Sequence, residues 1–301
     1  MQVNNLKKDH IPVLLREVLD MVNPQDNKVY IDATFGAGGY TKAMLQKADC
    51  TVIGIDCDQH TENYAKQIKQ DFNDRFCFVH DNFINVDTVL KNLNTSFIDG
   101  IVFDLGVSSM QLDNKSRGFS FSGDAPLDMR MDNRLPITAT KLVNELHEKE
   151  LADLIYQYSG ERKSRSIARN IVYFRQKEKI STTSQLIDVM QVVGRKYRDN
   201  IHFATRTFQA LRIAVNNELE NLKIILRKLP VLLTLQGTIS VVTFHSLEDK
   251  IVKEFFKEVS ANKDHSNFER VNKKVIVPSC KEIRKNPRAR SAKLRGLRRI
   301  R

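Results

Sequence analysis

Short apolar runs alternate with stretches of helical spacing through the first hundred positions. Segments 29–32, 51–56, 76–80 and 97–105 are rich in Val, Ile and Phe, and the last is apolar almost without interruption. Strands covered by helices on both faces read this way. Between them lie predicted helices at about 40–47, 59–72 and 84–93, the second with Tyr64, Ala65, Ile68 and Phe72 on one face. Strand–helix alternation of this kind predicts an α/β fold with a doubly wound parallel sheet.

The pattern then changes. No strand is predicted between 111 and 203. Segment 117–132 reads as a loop rich in Gly, Ser, Asp and Met. Segments 141–158, 163–177 and 183–197 read as amphipathic helices, the last opened by the N-cap cluster Ser181-Thr182-Thr183-Ser184. The α/β pattern resumes with a long helix over 206–229, ended by Pro230, and a strand over 238–244. Ser246-Leu247-Glu248-Asp249 has the form of a capping box and opens a helix to about 259. Segments 271–277 and 288–297 read as strands, the second at an edge because of its Lys and Arg residues. The expected organisation is an α/β domain from 1–110 and 205–301, interrupted by an all-helical domain at 111–204.

Charge changes the picture of the partner. Lys and Arg number 48 against 36 Asp and Glu, a net charge of +12. With a pI near 9.5, this points to a polyanion such as a nucleic acid. Basic segments stand at Arg162-Lys163-Ser164-Arg165, at Arg195-Lys196-Tyr197-Arg198 and in the tail, where Lys281 to Arg301 holds ten Lys or Arg and one acid, Glu282. The four cysteines, Cys50, Cys57, Cys77 and Cys280, form no C-x-x-C pair. Reduced thiols and a cytoplasmic protein are expected. No run is long and apolar enough for a membrane helix, and no metal constellation is apparent. His10 and His245 are read as structural histidines. Nothing in the pattern sets an oligomeric state.

Candidate chemistry collects where the strands end. After the first strand, Gly36-Ala37-Gly38-Gly39 allows a tight turn and close backbone approach to a ligand. Asp56 ends the second strand, where a carboxylate can accept from both hydroxyls of a ribose. A nicotinamide dinucleotide and S-adenosylmethionine both suit that geometry. The sixth position from Gly36 is Thr41 rather than a small third residue, which weakens the dinucleotide reading. Phe83 follows the third strand and could frame an adenine. Asp104 ends the fourth, followed by Ser108, Ser109 and Gln111.

Several of these segments resemble, in order, the signatures of one family. They are Asp32-Ala33-Thr34-Phe35-Gly36-Ala37-Gly38-Gly39, Asp104-Leu105-Gly106-Val107-Ser108-Ser109-Met110-Gln111-Leu112-Asp113 and Arg117-Gly118-Phe119-Ser120-Phe121. Pro126-Leu127-Asp128-Met129-Arg130-Met131-Asp132, Phe208-Gln209-Ala210-Leu211-Arg212-Ile213, Phe244-His245-Ser246-Leu247-Glu248-Asp249 and Asn286-Pro287-Arg288-Ala289-Arg290-Ser291 continue the series. The chain resembles the bacterial 16S ribosomal RNA cytosine-N4 methyltransferases. The resemblance implies a class I, Rossmann-like methyltransferase sheet with a helical insertion for substrate recognition. It implies S-adenosyl-L-methionine as cofactor and 16S ribosomal RNA, within the small ribosomal subunit, as partner. The cofactor contacts then fall on Gly38, Gly39, Tyr40, Asp56, Phe83, Asp104 and Gln111. Tyr40 stands where the family carries a histidine.

The expected reaction is methyl transfer to the exocyclic N4 amine of a cytidine in the decoding centre. Asp104 is the expected acceptor for an amine hydrogen, helped by Ser108 or Ser109. The chain has Asp104-Leu105-Gly106-Val107 where many amine-directed methyltransferases have a D/N/S-P-P-Y/F motif, so a stacking ring would come from Phe119, Phe121 or elsewhere. A nicotinamide-dependent dehydrogenase and a noncatalytic RNA-binding ribosome-assembly factor are the alternatives.

Overall fold

The structure is a computed structural model in which residues 12–121, 123–193, 202–261 and 266–301 are described. Its contacts divide the chain into two units, Met1–Gly106 with Leu219–Arg301, and Val107–Glu218.

The first unit begins with α1 (Leu15–Val22), β1 (Val29–Asp32), α2 (Gly39–Lys47), β2 (Thr51–Asp56), α3 (Glu62–Phe72), β3 (Phe76–His80), α4 (Val86–Asn92) and β4 (Ile98–Asp104). The chain then builds the second unit from α5 (Ser109–Asp113), α6 (Ala139–Glu145), α7 (Glu148–Ser159), α8 (Ser164–Arg175), α9 (Thr183–Gln191) and α10 (Thr205–Asn216). It returns through α11 (Glu218–Leu232), β5 (Leu233–Thr243), α12 (Ser246–Val259), β6 (Phe268–Arg270), α13 (Cys280–Lys285) and β7 (Lys293–Arg299).

The sheet order is β3-β2-β1-β4-β5-β7-β6. β1 to β5 are parallel, and β7 pairs antiparallel with both β5 and β6. Alternating side chains fill two cores, as the two-residue period of a strand requires. Ile31, Ile53, Phe103 and Val241 pack with Val86 of α4, Leu222 of α11 and Val252 of α12. Tyr30, Val52, Val102 and Val242 pack with Val18 of α1, Met44 of α2 and Ile68 of α3. From β1 the sheet grows one way to β2 and β3, and the other way to β4 and β5. The crevice where such an order reverses, at the carboxyl ends of β1 and β4, is where open α/β sheets hold ligands.

Several sequence expectations change. The helix expected at 141–158 is two helices, because His147 has extended backbone and caps α7, its N–H bonding Glu150 at 3.0 Å. The helix expected at 206–229 breaks at Asn217, whose φ of 51° ends α10. Pro230 does not end α11, which continues to Leu232 with the ring in its last turn. α10 falls in the helical unit rather than with the sheet, because Ala204, Phe208, Leu211 and Val215 are buried in that unit's core. The cap of α12 is His245 with Glu248, not Ser246 with Asp249: Glu248 Oε2 accepts from Phe244 N at 2.8 Å and His245 N at 3.3 Å. The described part of the helix expected at 183–197 is α9, and positions 194–197 lie outside the described residues.

The two C-terminal strands also differ. Segment 271–277 contributes one bridge, Ile276 with Leu294, and the strand lies earlier, at β6. β7 is an interior strand, not an edge. Its cations find partners, which is why a basic strand can sit there. Asp249 accepts Arg295 Nε at 2.7 Å and Lys293 Nζ at 3.2 Å. Burial pushes the Asp249 carboxyl up, but these two bonds hold it below the usual range. Arg299 donates to Leu233 O at 2.6 Å.

Candidate active site

Three strands of the first unit end in a carboxylate, and the loops between them tie those ends together. β1 ends at Asp32, which is fully buried. Thr41, on α2, donates its hydroxyl to Asp32 Oδ2 at 2.8 Å and its N–H at 3.2 Å. The residue at the third-glycine position of a dinucleotide motif is therefore engaged with Asp32. Asp32 Oδ1 is buried without a hydrogen bond. β2 ends at Asp56, which accepts Gly36 N at 2.7 Å and Asp58 N at 2.8 Å. That pair fixes the glycine turn against the end of β2 and holds the carboxylate in place.

The turn itself demands glycine at position 38. Gly38 has φ 74°, and a Cβ there would meet the Phe35 ring at 2.7 Å. It caps α2, whose first residues are Gly39 and Tyr40. The first-turn N–H groups of a helix are free to meet a ligand. Tyr40 is 3% exposed, and its hydroxyl donates to Val13 O. Its ring thus belongs to the core, so only the backbone of this position is left to meet a ligand. Burial pushes the Tyr40 phenol well up, with Asp104 and Asp32 adding to the effect.

Asp104 ends β4, paired in register with Val242 of β5. Its N–H donates to Thr34 Oγ1 at 2.6 Å, so the loop after β1 clamps the end of β4. Its Oδ1 is buried with no hydrogen-bond partner. Burial pushes the Asp104 carboxyl up to about 8, with the charges of Asp32 and then Glu248 contributing. Burial also raises Asp32 and Asp56 to about 6 each, against their own hydrogen bonds. A buried carboxylate without a cation is costly. The edge thus has the chemistry of a site for a cation that also carries hydroxyls, and S-adenosylmethionine, with its sulfonium, ammonium and ribose, fits that donor set.

Phe83 is half-buried and meets Phe103 edge-on, with ring centroids 5.6 Å apart. Its loop is fixed by Asn82, which accepts Ile84 N at 3.1 Å. The remaining candidates belong to the second unit. Ser108 and Gln111 form a capping box on α5: Ser108 Oγ accepts Gln111 N at 3.2 Å, and Gln111 Oε1 accepts Ser108 N at 2.9 Å. Ser109 is the first residue of that helix. Phe119 is buried in the helical core, and Phe121 stacks on His202 with centroids 4.5 Å apart. Both rings are occupied by packing rather than presented to a base.

His245 is the α12 cap, and His10 lies outside the described residues, as does the Arg195-Lys196-Tyr197-Arg198 run. No disulfide joins the four cysteines, all of them described, with Cys50 buried and Cys280 exposed. Among the described residues no helix is long and apolar enough to cross a membrane. Sequence reasoning missed Asp32 and Thr34 as site residues. Asp32 was visible, since it ends an apolar run as Asp56 and Asp104 do. Thr34 left no such signal, because its role depends on the β1–β4 pairing.

The chain is 50% identical over 291 residues to a protein of Wolbachia sp. subsp. Drosophila simulans (strain wRi) named "Ribosomal RNA small subunit methyltransferase H", covering 97% of this chain and 99% of the relative. Proteins of the same name from Ehrlichia canis (strain Jake) and Rickettsia typhi (strain ATCC VR-144 / Wilmington) are 48% and 45% identical, each across 97% of this chain. They cover 100% and 98% of those relatives. The family model described as the MraW methylase family matches residues 7–300, and the chain belongs to that family.

Proposed function

We propose that this enzyme transfers a methyl group from S-adenosylmethionine to small-subunit ribosomal RNA, at the exocyclic N4 amine of a cytidine in the decoding centre. The target class follows the names of the relatives. The observation that carries the amine chemistry is the buried, unpartnered Oδ1 of Asp104 at the end of β4. Asp56 would hold the ribose hydroxyls, the backbone of Gly38, Gly39 and Tyr40 the amino-acid end, and Phe83 the adenine. Gln111, the remaining cofactor residue expected from the sequence, lies on α5 in the second unit. When bound, the cofactor supplies an electrophilic methyl on a sulfonium.

Asp104 does the rest of the work at the nitrogen. The cytosine amine is a weak nucleophile because its lone pair is delocalised into the ring. A carboxylate accepting one amine hydrogen returns that pair to nitrogen and stabilises the charge that develops there. As the N–C bond forms, the same carboxylate receives the hydrogen that leaves. A group whose pKa lies near the working pH suits this role, and Asp104 is raised in that direction. Ser108 and Ser109 are helpers. The Ser108 hydroxyl accepts from Gln111 N and can also donate its hydrogen. A paired base hides the amine, so the cytidine must be splayed from its neighbours.

The test is labelled methyl transfer to small subunits from cells lacking the enzyme, followed by digestion to nucleosides. N4-methylcytidine is the expected product. Label on cytosine C5 or on a ribose 2′ oxygen would refute the amine reading.

A further inference from the structure

Helices α7 and α8 are neighbours in the second unit and are built on opposite electrostatic plans. α7 carries Glu148 and Glu150 in its first turn, where the helix dipole favours negative charge. α8 has no acidic residue, and its first turn carries Arg165 instead. Ser164, Ile167, Ala168 and Ile171 form its buried side. Arg165, Arg169 and Tyr173 follow one another four residues apart on the opposite side, about 6 Å of rise per step. Lys177, in the turn after the helix, continues the line. All four are exposed.

Ordinary solvated faces mix both signs of charge, and this one does not. Elsewhere in the unit several arginines have partners: Arg130 bonds Asp128, Arg134 bonds Asp132, and Arg212 bonds Glu218. Arg175 donates to the Val143 and Leu146 carbonyls, and Arg206 lies 3.8 Å from Glu161. Arg165 has no such partner among the described residues. Arg169 reaches Glu148 at 3.6 Å, with both side chains exposed, an arrangement that contributes little. Like charges at this spacing repel within a helix. Between the cations stands Tyr173, 53% exposed, with Lys177 Nζ 4.5 Å from its ring centre. An exposed ring flanked by cations is how proteins hold single-stranded nucleic acid, with phosphates on the cations and a base on the ring.

We propose that the outer face of α8, formed by Arg165, Arg169, Tyr173 and Lys177, is a track for single-stranded RNA. The cations contact phosphates along the strand, and Tyr173 stacks on a base. This rests on the RNA reading above and adds where on the helical unit the strand runs.

The experiment measures binding of a labelled single-stranded RNA to the full-length enzyme across a salt series, with methyl transfer followed in parallel. Arg165→Ala/Arg169→Ala should lower the slope of log affinity against log salt by about 1.4, the share of two contacts on a single strand. Tyr173→Ala should weaken binding about 5- to 150-fold, and Tyr173→Phe should restore it. The control Lys66→Ala/Lys223→Ala removes two exposed cations of the first unit and should leave the slope unchanged. Thermal unfolding of each variant near wild type shows that the fold is kept. A wild-type slope in the arginine variant, or equal losses for Tyr173→Ala and Tyr173→Phe, overturns the track. Wild-type enzyme that methylates RNA while the α8 variants bind unchanged contradicts the track alone. An α8-dependent slope without any methyl transfer contradicts the functional reading alone. Absence of RNA binding by wild type contradicts both.

Discussion

The two units treat charge in opposite ways. At the sheet edge of the first, Asp32, Asp56 and Asp104 are raised mainly by burial, to about 6, 6 and 8, and no cation among the described residues pairs with them. In the second, Asp128 is held below the usual range, because the Arg130 bonds outweigh its partial burial. Surplus cations there stand on the surface, along α8. The first unit is short of a positive charge and the second of a negative one. A cationic cofactor and a polyanionic substrate are the two ligands that relieve those imbalances.

The largest effect that sharpens this contrast is catalytic. Asp104→Ala should lower kcat about 10²- to 10³-fold, with little change in the KM for RNA. Arg165→Ala/Arg169→Ala should act chiefly on that KM. Steady-state kinetics of the two variants check the division, and a reversed pattern would break it.

Glycines compare the units next. Gly38 and Gly160 share positive φ, 74° and 65°. A Cβ at Gly38 would strike the Phe35 ring, while one at Gly160 would meet nothing within 4 Å. Gly38→Ala should cost about 2–5 kcal/mol, backbone strain plus overpacking. Gly160→Ala should cost only the strain, about 1–2 kcal/mol. Chemical denaturation measures both, and equal costs would contradict the packing described at the turn.

The pH dependence should have opposite signs for the buried carboxyls of the sheet edge and for Asp128 of the second unit. A raised carboxyl binds its proton more tightly in the folded protein than in the unfolded chain. Its contribution is full below the ordinary carboxylate pKa and is lost as pH rises through about 6 for Asp32 and Asp56, and about 8 for Asp104. The cofactor-free first unit should therefore weaken between pH 5 and about 8.5, and Asp104→Asn should flatten the upper part of that fall. Asp128 behaves oppositely: its contribution is present above the ordinary pKa and is lost on acidification through its lowered value. Hydrogen exchange resolved by segment separates the two. A first unit that gains stability toward pH 8.5 would contradict the burial of these carboxyls.

The smallest effect concerns Tyr40. Tyr40→Phe removes one hydrogen bond to Val13 O, a loss of about 1 kcal/mol. Cofactor affinity should stay within twofold of wild type, because the hydroxyl points into the core. A tenfold loss of affinity would return the side chain to the site.

How much of this was legible depends on the range of the interactions. β1 to β3 matched the apolar runs residue for residue, because β1 and β2 are buried on both faces and all three strands end in a polar residue. The carboxylates of Asp56 and Asp104 were visible for the same reason. The Asn217 break was hidden because apolar spacing continues from Val215 into α11, and only the backbone angle separates the helices. β7 was misplaced as an edge because its cations looked solvated. Their partner Asp249 lies more than forty residues away, on α12. Phe119 and Phe121 looked available for stacking until the helical core around them was seen. The clamp from Thr34 to Asp104 spans strands adjacent in space and distant in sequence, and no local pattern encodes it.

The central claim is that Asp104 awaits the cofactor's positive charge before it accepts the amine hydrogen. Calorimetry of S-adenosylmethionine binding at pH 7, repeated in buffers of different ionisation enthalpy, counts the protons released. Wild type should release a proton, because a carboxyl near 8 is protonated at that pH and ionises beside a cation. Asp104→Asn should bind without that release, and S-adenosylhomocysteine, which lacks the sulfonium, should release less from wild type. Binding to wild type with no proton release, or with the same release as Asp104→Asn, would contradict the claim.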